Sequence, residues 1–238
     1  MTEAVSRASW RMSGILAAAV LVVGCASVPA PETPASYSYF ERPDPYDPWF
    51  FPISRWQLRT REQTRTTWPP ALLAAWGGAV PGAPASAENP SDLRSRYFGF
   101  VAQSKHALAL AVARWVQSEG RRYYVSDTDQ DHWPTLEEVL ANDGDDCDGL
   151  ELLSYYLLRR MGFDEDEVYR AIVVRERDNQ HHMVTLWFET PDDPHVIDPT
   201  GAMVLGMPRM SEVKGWVPMQ VFSPTKHFAV WRKRAGSN

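Results

Sequence analysis

The chain has 238 residues, 44% of them hydrophobic and 23% charged, with a formal net charge of −6 and two cysteines. An acidic chain with no clustered basic face lacks the footprint of a nucleic-acid-binding protein. Two cysteines exclude a disulfide framework, and the length suits one substantial domain with its own core.

Residues 1–24 read as an export signal: Arg7 and Arg11 precede a short apolar run from Gly14 to Val23. That run is too short to span a bilayer, which takes roughly 20 apolar residues. It ends in Val22-Val23-Gly24-Cys25, which resembles the bacterial lipobox, where the signal is cut before a cysteine that is then acylated. Lipidated Cys25 would hold the protein on a membrane, since several acyl chains anchor where one binds only marginally. The expected location is the cell envelope, facing the periplasm, at the outer membrane. Cleavage would leave 238 − 24 = 214 residues and, by removing two Arg and one Glu, a formal charge of −7.

Residues 25–48, rich in Pro, Ser and Ala, read as a flexible tether. Residues 49–93 form an aromatic-rich extension with a loop: Trp49, Phe50, Phe51, Trp56 and Trp68 interleave with arginines before a Gly/Pro/Ala stretch. Such aromatics pack across a domain or meet a partner, and packing is the commoner use. Residues 94–238 are expected to be the catalytic domain. There, Ala102 to Gln117 suits a buried helix, apolar nearly all round, with Gly120 as its stop. Tyr123-Tyr124-Val125 follows, then an acidic loop through Asp127, Asp129 and Asp131. Thr135-Leu136-Glu137-Glu138 has the form of a capping box.

The run Asn142 to Gly149 carries Cys147, and the apolar face Leu150, Leu153, Leu157, Met161 marks the helix that it opens, with Gly162 as its end. Strands are expected at 168–174, 183–188, 195–198, 216–221 and 227–231. Helices followed by an antiparallel meander make the fold class α+β.

Without Cys25, Cys147 has no disulfide partner, and a lone thiol at a helix start is a candidate nucleophile. A thiol ionises near pH 8.5 and needs a helix N-terminus or an imidazolium to act at neutral pH. The flanking Asp145, Asp146 and Asp148 oppose ionisation, so they should face away from the sulfur, cap the helix or bind a cation. The base should come from a neighbouring strand. His181 and His182 open one, and only one of them can face the sulfur; alternation does not choose, because both faces are apolar. Asp198, ending Val196-Ile197-Asp198-Pro199, is placed to orient the base, although Asp-Pro-Thr-Gly is also an ordinary turn. His106, His132, His195 and His227 show no metal-ligand spacing.

These residues resemble the transglutaminase-like cysteine peptidases, and within them the bacterial periplasmic branch. The matching stretches are Trp133-Pro134-Thr135-Leu136-Glu137, Gly144-Asp145-Asp146-Cys147-Asp148, His182-Met183-Val184 and Ile197-Asp198-Pro199, within residues 120–203. The resemblance implies a papain/transglutaminase-like core, with the nucleophile at a helix N-terminus packed on an antiparallel sheet. It implies a Cys147–His182–Asp198 triad acting on a protein or peptide through a thioester. The Cys147 amide, and the Trp133 indole as a second donor, would hold the oxyanion.

No cofactor is required by the resemblance, but calcium is allowed, since some members hold it with acids flanking the cysteine. Those acids map to Asp146 and Asp148; Gly149 stands where the family usually has a further Asp. A second calcium idea, an EF-hand-like loop of Asp127, Asp129, Asp131 and Glu138, has His132 where Gly is required. Two rivals remain. Asp146-Cys147-Asp148-Gly149 also fits the opening of NlpC-type cell-wall amidases, and an inactive scaffold lipoprotein would use the aromatic segment as its contact surface.

Overall fold

The computed structural model describes residues 34–64, 93–126 and 132–233. The export signal, Cys25, and the loop acids Asp127, Asp129 and Asp131 lie outside them. Among the described residues no helix is long and apolar enough to cross a membrane.

In chain order the elements are β1 (Tyr37–Glu41), α1 (Phe50–Thr64), α2 (Leu93–Tyr123), α3 (Leu136–Asn142), α4 (Cys147–Arg160), β2 (Val168–Arg175), β3 (His181–Trp187), β4 (His195–Ile197), a 3-10 turn at Met210–Glu212, β5 (Trp216–Phe222) and β6 (His227–Arg232). The strands form one six-stranded sheet in the order β1-β6-β5-β2-β3-β4, with neighbouring strands antiparallel throughout. The class is α+β. The expected meander holds for β2-β3-β4, but β5 returns to the other side of β2, so β2 is central. Its six residues from Val168 to Val173 are all buried, which suits a β-branched, apolar run covered on both faces.

α4 packs on β2 and β3, and α2 packs on α4. Leu150, Leu152, Tyr155 and Leu158 of α4 are at most 1% exposed. Burying such a side chain contributes roughly 1.5–3 kcal/mol, so these four hold the start of α4 firmly on the sheet.

Three sequence expectations change. β1 lies inside the segment read as a tether: Tyr37 and Tyr39 are buried, and Tyr37 and Ser38 pair with Arg232 and Trp231 of β6. Alternating aromatics, not composition, were the signal there. Next, α2 is longer than expected and has one buried face rather than an apolar surface all round. Ala109, Val112, Ala113, Val116, Gln117 and Gly120 face inward, while Trp115 is 47% exposed. Gly120 does not stop α2. It lies within the helix because a Cβ there would meet the Pro199 carbonyl oxygen at 2.2 Å. Beyond α2, Tyr124 forms an isolated bridge with Asp145.

The described part of the aromatic extension, residues 49–64, contributes to the core, and Trp68 lies outside the described residues. Ile53 and Trp56 of α1 are buried in one cluster with Trp133, Leu136, Ile172, Met183 and Phe222, and Trp49 and Cys147 pack against it.

Candidate active site

Local chemistry places Cys147 at the first residue of α4. Asp146 is the N-cap in extended conformation, its Oδ1 accepting the Asp148 amide at 3.1 Å, so its carboxylate serves the orphan amides of the first turn. The preceding helix, α3, starts with the capping box read from the sequence. The Thr135 amide donates to Glu138 Oε2 at 2.6 Å, and Glu138 donates back to Thr135 Oγ1 at 3.4 Å. That assigns Glu138 to capping. α3 ends on Asp143 in the left-handed region (φ 57°), and Gly144 (φ 147°) turns the chain into the Cys147 loop.

A buried ion pair locks α4 to the sheet behind the cysteine. Arg170 of β2 donates through Nε to Glu151 Oε2, and through Nη2 to the Asp148 carbonyl at 2.6 Å. Glu151 Oε1 accepts from Thr185 Oγ1, which also meets Ser154 Oγ at 2.8 Å. Both charged side chains are fully buried, and the Arg170 guanidinium lies 4.4 Å from the Trp56 ring centroid and 5.3 Å from that of Phe222. Burial pushes the Glu151 carboxyl up despite Arg170 and Thr185, which favour its ionised form. Neither Arg170 nor Glu151 was singled out from the sequence. A charged residue amid the apolar run of β2 was the available signal.

On β3 the two histidines separate as alternation requires. His182 is buried at 7% exposure, whereas His181 is exposed, edge-on to Trp49 at 4.9 Å. His182 Nε2 lies 2.9 Å from Asp198 Oδ1, at the end of β4. A carboxylate only accepts, so the proton sits on Nε2 and His182 Nδ1 keeps its lone pair.

Asp198 is fully buried and densely bonded. Oδ1 also accepts the Thr200 amide and hydroxyl, each at 3.0 Å; Oδ2 accepts the amides of Met203 at 2.6 Å and Val204 at 3.1 Å. Burial raises its pKa, but His182 and these amides outweigh burial and hold it below the usual carboxylate range.

The cysteine is less complete. Its half-buried sulfur makes no hydrogen bond to His182 among the described residues; the Met183 amide, one residue on, is directed at it instead. Burial pushes the thiol well up, Asp146, Asp148 and Asp198 add to the shift, and the Met183 amide opposes it. These surroundings favour the neutral thiol over the thiolate.

Trp133 is buried in the cluster against which Cys147 packs, stacked on Trp49 (6.1 Å, 25°) and on Phe222 (5.8 Å, 20°). The structure thus joins His182 to Asp198, sets Cys147 and Trp133 in one cluster, and leaves Cys147 without a hydrogen bond to His182.

The acids form a cluster of their own. Donor atoms of Asp145, Asp146 and Asp148 all lie within 4.8 Å of one another. Both oxygens of the buried Asp148 carboxylate lack a hydrogen-bond partner, and burial, then Asp146, pushes its pKa well up. Gly149 matters here in a way the sequence hid. A Cβ at Gly149 would lie 2.4 Å from Asp145 Cβ, so the missing side chain makes room for the Asp145 carboxylate. Asp145 thereby supplies the third carboxylate that Gly149 itself lacks. Three oxygen donors with an unsatisfied buried carboxylate fit a hard cation such as calcium.

No protein-family profile matches this chain, and no curated protein sequence matches it significantly. Among solved structures, LapG of Legionella pneumophila is similar at 18% identity and a TM-score of 0.44, covering 54% of this chain and 78% of LapG. Its calcium-bound form gives 17% identity and a TM-score of 0.42 over the same shares. A candidate cysteine protease from Cytophaga hutchinsonii is similar at 10% identity and a TM-score of 0.32, covering 58% of this chain and 50% of that one.

Proposed function

We propose that this chain is a thiol hydrolase of the transglutaminase-like cysteine peptidase type, cleaving an amide bond in a protein or peptide. The observation that carries this reading is the buried His182–Asp198 pair at 2.9 Å, with His182 on β3, the strand against which α4 packs with Cys147 at its first residue.

In the proposed reaction His182 Nδ1 accepts the thiol proton once the sulfur and the ring meet. Asp198 stays ionised and holds the ring in the tautomer that leaves Nδ1 basic. The thiolate attacks the carbonyl carbon, and the oxyanion takes the Cys147 amide at the helix start, with Trp133 as the proposed second donor. Collapse breaks the C–N bond while the imidazolium gives its proton to the leaving amine. Water, deprotonated by His182, then hydrolyses the thioester and restores the thiol.

Asp145, Asp146 and Asp148 are the proposed calcium ligands. A cation there would supply positive charge next to Cys147 and offset the carboxylates that raise its pKa. Cys25 is the proposed lipid anchor, and the periplasmic face of the outer membrane the proposed location.

The test compares envelope proteins incubated with the protein and with Cys147→Ala, followed by mass-spectrometric mapping of new N-termini. New termini formed only by the unmodified protein support the reading. Identical maps overturn it.

A further inference from the structure

The far ends of β3 and β4 bring together histidines that sequence spacing keeps far apart. β3 ends at Trp187, the chain turns through Glu189, and β4 begins at His195, while α2 lies across this end with His106. The buried His195 ring stacks on Trp187 (5.3 Å, 20°), and His106 stands edge-on to it (5.0 Å, 75°).

The hydrogen bonds fix what His195 offers. Its Nδ1 lies 3.1 Å from the Met207 carbonyl oxygen, which can only accept, so Nδ1 carries a proton. In the neutral ring Nε2 is then a lone pair, and it faces Glu189 Oε2 at 3.1 Å, another acceptor. Two acceptors at that distance need a positive charge between them, either a second ring proton or a cation. The other Glu189 oxygen, Oε1, faces His106 Nδ1 at 3.8 Å. Arg209 Nη2 holds Oε2 at 2.6 Å and steadies the carboxylate. One donor atom each from His106, Glu189 and His195 lies within 4.8 Å of the others.

We propose that His106 Nδ1, His195 Nε2 and the Glu189 carboxylate bind a divalent transition cation, zinc by the chemistry of the set. Two imidazoles and one carboxylate suit zinc and disfavour calcium or magnesium, which take oxygen ligands. A ring fixed by donating its other N–H to a backbone carbonyl is the usual support for a metal-bound histidine. Tetrahedral zinc with bonds of about 2.0–2.1 Å sets its ligand atoms roughly 3.4 Å apart. The side chains therefore close by about 1 Å on binding, and the partly exposed His106 carries that movement. A water completes the coordination on the solvent side.

The cation staples α2 to the β3–β4 hairpin. This is the helix whose Gly120 abuts Pro199, next to Asp198, so the site braces the region that holds the His182–Asp198 pair. The proposal does not depend on the hydrolase reading.

The test is calorimetric titration of Zn²⁺ into the full chain carrying Cys25→Ala and Cys147→Ala, which removes both thiols as competing ligands. Calcium in excess occupies the acidic cluster. The expected result is one Zn²⁺ per chain, with affinity at least tenfold lower in both His106→Ala and His106→Gln, whose melting temperatures without metal stay unchanged. Co²⁺ should give the visible absorption of a tetrahedral nitrogen–oxygen site, lost in the same variants. No Zn²⁺ uptake, or uptake unaffected by the His106 substitutions, would overturn the proposal and leave the His195–Glu189 contact as an imidazolium–carboxylate pair.

Discussion

Gly120→Ala separates two effects of opposite sign within one helix. Replacing a helical glycine with alanine ordinarily stabilises by about 1 kcal/mol, because the glycine backbone loses more entropy on folding. At Gly120 the new Cβ would sit 2.2 Å from the Pro199 carbonyl oxygen and 3.1 Å from its carbon. A relaxed carbon–oxygen contact is about 3.3–3.6 Å, so α2 and the Pro199 turn must separate by about 1 Å. Both sides are backbone, and the turn is held by the hydrogen bonds from Thr200, Met203 and Val204 to Asp198.

Overpacking of this kind costs about 1–3 kcal/mol and outweighs the propensity gain. Gly99, in the same helix, has nothing within 4 Å of its Cβ position and serves as the reference. Urea denaturation should therefore show Gly99→Ala stabilised by about 0.5–1 kcal/mol and Gly120→Ala destabilised by about 1–2 kcal/mol. Displacing Asp198 should also lower the rate of Cys147 chemistry, since a 1 Å misplacement can cost about 100-fold. A Gly120→Ala protein as stable as Gly99→Ala would refute the close approach of α2 to the Asp198–Pro199 turn.

Arg170→Met should cost about 3–5 kcal/mol by leaving Glu151 buried without its partner, and adding Glu151→Leu should recover most of that loss in the same denaturation assay. Asp198→Asn should lower the hydrolysis rate by about 10³–10⁴-fold through loss of His182 orientation. Because the folded pKa of Asp198 is depressed, its contribution to stability is full above the unfolded carboxylate pKa of about 3.9 and is lost as pH falls through the folded value. The variant's stability should accordingly fall less steeply on acidification, followed by circular dichroism. Asp146→Asn should speed alkylation of Cys147 at neutral pH without calcium, because it removes the carboxylate that, after burial, does most to raise the thiol pKa, and should blunt any acceleration by calcium. Equal alkylation rates with and without calcium in the unmodified protein would separate the acidic cluster from the cysteine.

Features written in short sequence windows were legible. The Thr135–Glu138 capping box, α4 from its apolar spacing and the β2–β3 pair from their apolar runs appear close to where local pattern places them. Alternation narrowed the candidate base to one of two adjacent histidines; the fold buries His182 beside Asp198 and leaves His181 exposed, a difference that local pattern does not carry.

What the sequence hid is non-local. Asp145 fills the space over Gly149, four residues before the position where a carboxylate was sought. His106 and His195 are 89 positions apart and meet only because α2 lies across the β3–β4 end. β1 was hidden by its surroundings: Pro and Ser outweighed the alternation of Tyr37 and Tyr39 in a composition-based reading.

The central claim is that Cys147 is a nucleophile served by His182, although the two are not hydrogen-bonded in this arrangement. The most direct measurement is the iodoacetamide labelling rate of Cys147 across pH, with calcium present, in the unmodified protein and in His182→Ala. Labelling well below pH 8 that is lost in the variant is the expected result. A single ionisation at or above the ordinary thiol range of about 8.5, identical in both proteins, would contradict it.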